Sequence, residues 1–134
     1  MKPRMPLKSS TAVRIQVEGG IELQGRLNRY LAPMTYDRVV RALPLSGVLA
    51  LSGGLAYFQV EIRRGAEKEA KKVEPGDILY WPSIPAIAFV VEPTSPPVQA
   101  VKIGRLTSDP IILKNVRKGS RIVVAETEEE SNSS

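Results

Sequence analysis

The sequence predicts a mainly β protein, a closed eight-stranded barrel with two short α-helices capping its ends. Three observations lead there. Eight short segments carry the period-two alternation, or the continuous apolar run, of a strand. Two segments read as helices, one by its apolar stripe and one by its capping residues and proline. The chain has only 134 residues, and antiparallel strands in so short a chain lose their exposed edges most simply by closing on themselves.

The elements follow in chain order. In TAVRIQVE, Val13, Ile15 and Val17 alternate with Arg14, Gln16 and Glu18, as in a half-buried strand. Gly19-Gly20 supplies the positive φ angles of a tight hairpin turn, and alternation resumes with Ile21 and Leu23 against Glu22, Gln24 and Arg26. PMTYDRVVRAL, residues 33–43, places Tyr36, Val39, Val40 and Leu43 on one helical stripe, with Pro33 at its entry and Pro44 after its end. GVLALS (47–52) and LAYFQVEI (55–62) read as strands joined at Ser52-Gly53-Gly54. In the second, Ala56, Phe58, Val60 and Ile62 share one face, and Tyr57, Gln59 and Glu61 the other.

A charged connector, RRGAEKEAKK, spans 63–72. DILYW (77–81) and AIAFVV (86–91) are apolar on both faces, the composition of strands covered on two sides. VQAVKIGRL (98–106) follows the rigid EPTSPP loop. SDPIILKNVRKG (108–119) has helix punctuation: Ser108 or Asp109 to cap, Pro110 in the first turn, Arg117 and Lys118 near the C-terminus and Gly119 to end it. RIVVAE (121–126) is the last strand. Residues 11–126 thus form one domain. The basic segment 1–10 and the acidic, Ser-rich tail 127–134 are predicted flexible.

Composition removes whole classes of function. The chain has no Cys and no His, which excludes Cys/His zinc sites, disulfides, thiol catalysis and every triad with an imidazole base. Neither GxxxxGK nor GxGxxG occurs, so no cofactor is predicted. Glu67, Glu69 and Glu74 are interleaved with Lys68, Lys71 and Lys72, a solvated mixture rather than a cage of hard oxygens, and no metal site is predicted. Pro75-Gly76-Asp77 reads as a turn before a strand rather than as a catalytic acid. No apolar run is long enough to span a bilayer, and MKPRMPLKSS has no signal-peptide core, so the expectation is a cytoplasmic protein without a membrane partner. Absent Cys, few Asn and Gln, and 11 prolines lean toward a thermophile.

The net charge is +5. Its basic residues are scattered, with Arg63/Arg64, Lys71/Lys72 and Arg117/Lys118 as the close pairs, and no exposed aromatic run alternates with them. A solvated basic surface is the reading preferred over nucleic-acid binding.

The stretches VEGGIELQGRLNRYLAPMTYDRVVRALP (17–44), AYF (56–58), GDILYWP (76–82) and KIGRL (102–106) together resemble the small, chiefly archaeal cyclophilin-like proteins of unknown function. The resemblance covers about residues 11–126 and implies the cyclophilin barrel. Relatives tend to have Gly two residues after the YWP proline, where this chain has Ile84, and a second Trp where it reads LALSGG.

The resemblance also allows prolyl isomerase activity to be judged. That reaction needs an arginine to stabilise charge developing on the twisted amide. The corresponding strand pair here, 47–62, has no Arg or Lys, although Gln59 with Tyr57 and Phe58 stands where a Gln would be needed. No catalytic residue is therefore predicted. What remains is a pocket on the open face of the barrel for a small molecule or peptide, with Tyr57, Gln59, Tyr80 and Trp81 as candidate lining and Asn28, Tyr30 and Lys102 as polar supplements. For each aromatic the competing reading is core packing with the polar tip hydrogen-bonded. Trp81, the only tryptophan, is either a platform or a plug. A degenerate isomerase or folding helper is the alternative function, and self-association stays open.

Overall fold

The structure, a computed structural model, describes residues 9–63, 65 and 67–127. The predicted flexible termini lie largely outside the described residues. Strands β1 (Ser10–Val17), β2 (Ile21–Asn28), β3 (Leu45–Val48), β4 (Ala50–Ser52), β5 (Leu55–Gln59), β6 (Asp77–Trp81), β7 (Ala86–Val90), β8 (Val101–Leu106) and β9 (Arg121–Glu126) form one sheet in the order β3-β9-β1-β2-β8-β6-β7-β5-β4. Every paired neighbour is antiparallel.

The two terminal strands of that order, β3 and β4, are consecutive in the chain. The segment predicted as one strand over 47–52 is broken at Leu49: β3 pairs with β9, and β4 turns to pair with β5. Leu49 itself donates its N–H to Ser120 O (2.8 Å) and accepts the Gly119 N–H (2.8 Å). One kinked run therefore closes the barrel, and the strand count is nine rather than eight. At the seam β3 lies against β5 closely enough that a Cβ at Gly47 would sit 3.0 Å from the Phe58 ring.

The barrel interior is one apolar cluster that includes Val13, Ile15, Leu23, Phe58, Ile78, Tyr80, Phe89, Ile103 and Ile122. The α-helix α1 (Pro33–Ala42) seals one end, burying Tyr36 and Val39 in this cluster. Tyr36 Oη and Thr11 Oγ1 are 2.6 Å apart, so the phenol tip is satisfied inside. Its first turn has no side-chain cap of its own. Glu67, from the charged connector, accepts the N–H of Thr35 (2.8 Å), the N–H of Met34 (3.1 Å) and the Thr35 hydroxyl (2.9 Å), satisfying N–H groups that a helix start leaves open. Part of the supposed solvated face is thus a remote helix cap.

The second predicted helix, 108–119, is instead a 3-10 helix over Pro110–Asn115 at the other end. Leu113 is its buried residue, and Val116, the extended residue just after it, is buried as well. Asp109 Oδ1 accepts the Ile111 N–H (3.1 Å), as a cap should, whereas Ser108 Oγ accepts from Gln24 N (2.8 Å). A further 3-10 turn, Arg29–Leu31, precedes α1. No helix among the described residues is long and apolar enough to cross a membrane.

The outer face of the sheet is covered on one side. Leu55, Leu79, Trp81, Ala86, Ala88, Val90 and Ala100 make a second cluster, roofed by Val73, Ile84 and Val98. The connectors are tied together there, Ala70 N donating to Ala100 O (2.8 Å) and Glu69 bridging Val101. This is why β6 and β7 are apolar on both faces.

Candidate functional site

The seven predicted site residues fall in several places. Tyr80 points into the barrel, fully buried, and its hydroxyl donates to Ile62 O at 2.6 Å. It is core, with its polar tip satisfied, and a ligand outside the barrel does not reach it. Tyr30 stands in the 3-10 turn before α1 with 74% of its surface exposed. Asn28 ends β2, half-buried. Lys102 lies outside on β8, where its Nζ is 3.2 Å from Asp77 Oδ2.

Tyr57, Gln59 and Trp81 do share the outer face of β5, β7 and β6. Register sets them on a small grid: Tyr57 pairs with Ala88, which pairs with Leu79, and Gln59 pairs with Ala86, which pairs with Trp81. The central strand thus contributes two alanines, a shallow floor over which the flanking aromatics lean together. The Tyr57 and Trp81 ring centroids are 4.9 Å apart, tilted by 42°, within the range of a favourable aromatic pair. Tyr57 is half-buried and Gln59 exposed, whereas Trp81 is 1% exposed. The Trp81 Nε1–H is the one buried side-chain polar atom without an acceptor among the described residues.

Beside this patch lies a charged hub that holds two of the motif segments together. Asp77 is fully buried. Its Oδ1 is 2.5 Å from Arg105 Nη1, and its Oδ2 accepts the Glu74 N–H at 2.8 Å in addition to facing Lys102. Arg105 Nη2 also donates to Pro75 O (3.2 Å). Gly76 makes this possible: its φ is +99°, and a Cβ there would lie 2.9 Å from Arg105 Nη2. Gly104 is equally constrained, since a Cβ would press into the Arg26 carbonyl oxygen and lie 2.9 Å from Leu27 Cα. GD in one motif and GR in the other are therefore two halves of one structural joint between the 74–77 turn and β8. Asp77 has its acceptor capacity filled by the protein, which is the turn role expected for it. No group of three acidic residues placed to hold a metal ion occurs among the described residues.

Sequence reasoning had no means of finding the alanine floor as such, but the spacing Ala86-x-Ala88 on a strand is a signal: two small residues on one face invite close approach by neighbours.

The cyclophilin-like family model matches residues 11–125, the whole barrel with its end caps. The chain belongs to the cyclophilin-like family. Among solved structures, a hypothetical protein from Archaeoglobus fulgidus is similar over 89% of this chain and 96% of its own, with 25% identity and a TM-score of 0.71. McbB, solved in complex with tryptophan, is similar with a TM-score of 0.73 and 16% identity, covering 87% of this chain. The match spans only 45% of McbB. No curated protein matches the sequence.

Proposed function

We propose that this cyclophilin-like protein is a binding module without prolyl isomerase activity, and that it takes a small molecule or peptide segment where Tyr57 and Trp81 meet on the outer face. The observation that carries this reading is the Trp81 Nε1–H. Indole nitrogen is a donor only, and a buried donor left without an acceptor costs about 1–3 kcal/mol. A ligand carrying an acceptor oxygen over an apolar body recovers that cost. Tyr57 offers a ring wall, the alanines a floor and exposed Gln59 an amide at the rim. Because Trp81 is covered by the roof of Val73, Ile84 and Val98 as well as by the half-buried Tyr57 ring, entry requires these side chains to move aside, so binding couples to a local rearrangement. McbB, a fold-mate solved with tryptophan, makes tryptophan a natural first probe.

Trp81 is the sole tryptophan, so its emission reports on this site alone. Calorimetry and thermal shift with tryptophan, and emission titrations with a proline-containing tetrapeptide, test the reading. Saturable binding that is lost in W81F and Y57A supports it. Binding unchanged in both variants, or no binding by any probe, overturns it. In a cis/trans assay on a Pro-peptide the rate stays at background; activity abolished by Q59A would instead establish the degenerate isomerase. We further infer a cytoplasmic protein from a thermophilic archaeon, supported by the absence of Cys, the 11 prolines and the Archaeoglobus protein of the same fold. Exposed Tyr30 and Met34 suggest self-association as part of the same reading, to be checked by sedimentation.

A further inference from the structure

The geometry points to a second binding site, for a small phosphorylated molecule, in the cleft between the β1–β2 hairpin tip and the loop that leads into β9. This site is independent of the Trp81 patch. Antiparallel pairing places Trp81 near the end of the barrel sealed by α1, and the hairpin tip at the opposite end.

The cleft has a volume of about 480 Å³ and is lined by Glu18, Gly19 and Ile21 on one wall and by residues 115–120 on the other. That volume falls within the range of small-molecule sites, roughly 300–1,000 Å³. A second cleft of about 440 Å³ shares Glu18, Gly19 and Ile21 with it and has Arg121 and Glu22 on its walls.

Both walls are held by hydrogen bonds in which backbone groups take part. Glu18 N donates to Arg121 O (2.9 Å), and Glu18 Oε1 accepts the Arg121 N–H (3.0 Å), which fastens the hairpin tip to the start of β9. In the loop, the Ser120 hydroxyl donates to Arg117 O (2.7 Å) and Gly119 N donates to Leu49 O (2.8 Å). The cleft is thus preformed, and a ligand need not order it.

Its charge is unspent. Arg117, Lys118 and Arg121 have no carboxylate within ion-pair distance of their side chains among the described residues, in contrast with Arg29, Lys102, Arg105 and Lys114, which are all paired. The side-chain amide of Asn115 is also without a partner there. Glu18 is the one carboxylate on the 480 Å³ cleft, and one of its oxygens is already engaged by the Arg121 N–H.

A guanidinium and an ammonium on consecutive exposed residues of one wall, with the Asn115 amide on the same wall, are the chemistry of phosphate recognition, the guanidinium giving paired N–H donors and the ammonium a point charge. No aromatic side chain lines the cleft. A nucleic-acid strand, whose bases need stacking platforms, is therefore a poorer occupant than a compact phosphorylated molecule.

The test titrates the full chain with inorganic pyrophosphate and with ADP by calorimetry at about 0.1 M salt, where long-range screening is already strong. Citrate is the non-phosphate control. R117A/K118A removes the proposed cations, and K71A/K72A removes the same charge elsewhere. All four residues are exposed, and each variant's unliganded melting temperature confirms that it folds. Saturable binding of pyrophosphate or ADP that weakens at least about tenfold in R117A/K118A, and is unchanged in K71A/K72A, is the expected result. No saturable binding by either probe, equal weakening in both variants, or citrate binding as tightly as pyrophosphate overturns the proposal. Trp81 emission stays constant throughout, so failure here leaves the Tyr57–Trp81 reading standing.

Discussion

Removing the Asp77 carboxylate tests whether the joint between the 74–77 turn and β8 is held by charge or by shape. In D77A, Arg105 loses a contact of 2.5 Å and Lys102 one of 3.2 Å, and the Glu74 N–H loses its acceptor. Breaking a fully buried ion pair by deleting one partner costs about 3–5 kcal/mol. Here the side chains of Arg105 and Lys102 are 50% and 30% exposed and rehydrate when released, which brings the ionic part down to about 1–2 kcal/mol. The orphaned Glu74 N–H, at the exposed lip of the turn, adds about 1 kcal/mol. D77A is therefore expected to lose about 2–3 kcal/mol, a fall in Tm of about 10 °C for a domain of this size. D77N keeps an acceptor for Glu74 and loses only the charge, so its cost should be about 1–2 kcal/mol. Urea denaturation followed by circular dichroism measures both. Equal losses in D77A and D77N would mean that the backbone hydrogen bond contributes nothing. A loss below about 0.5 kcal/mol in D77A, the scale of an ordinary surface substitution, would refute the whole account of the joint.

Other substitutions follow from the same geometry. G104A drives a methyl group into backbone at Arg26 and Leu27, and should cost about 3 kcal/mol or prevent folding, read as loss of soluble expression or a lowered urea midpoint. E67A leaves the first turn of α1 uncapped and should cost about 1 kcal/mol, with amide exchange at Met34 and Thr35 rising more than elsewhere. Y80F strands the Ile62 carbonyl inside the barrel and should cost about 1–2 kcal/mol, whereas Y30F at an exposed position should change stability negligibly; a reversed order in thermal melts would contradict the assignment of Tyr80 to the interior.

The barrel was legible in the sequence because its evidence is local. Alternation in β1 and β2, turn glycines at 19–20 and 53–54, and two-faced apolarity in β6 and β7 each report on a few neighbouring residues. The split at Leu49 was not legible, since changing partner from β9 to β5 is a tertiary event that leaves the apolar pattern of VLAL untouched. The 3-10 pitch of Pro110–Asn115 was not legible either, because caps and prolines mark a helix start without specifying its pitch. For the candidate site, adjacency in a strand told that Tyr80 and Trp81 face opposite ways. It could not tell which of them faces inward, nor that a roof from three connectors, through Val73, Ile84 and Val98, buries the other. The Asp77–Arg105 pair joins positions 28 apart in sequence, and no periodicity links them.

The kinked run through Leu49 has a consequence for how the sheet opens. In an open sheet the outermost strand can fray while the rest stays folded, and local opening is then cheap. Here the two ends of the sheet order belong to the same eight residues, 45–52. Detaching that run exposes β9 and β5 together, and neither of them can peel without its release. Protected amides in β9 and in β5 should accordingly exchange with the same opening free energy, as a single cooperative unit whose hinge is one residue, Leu49.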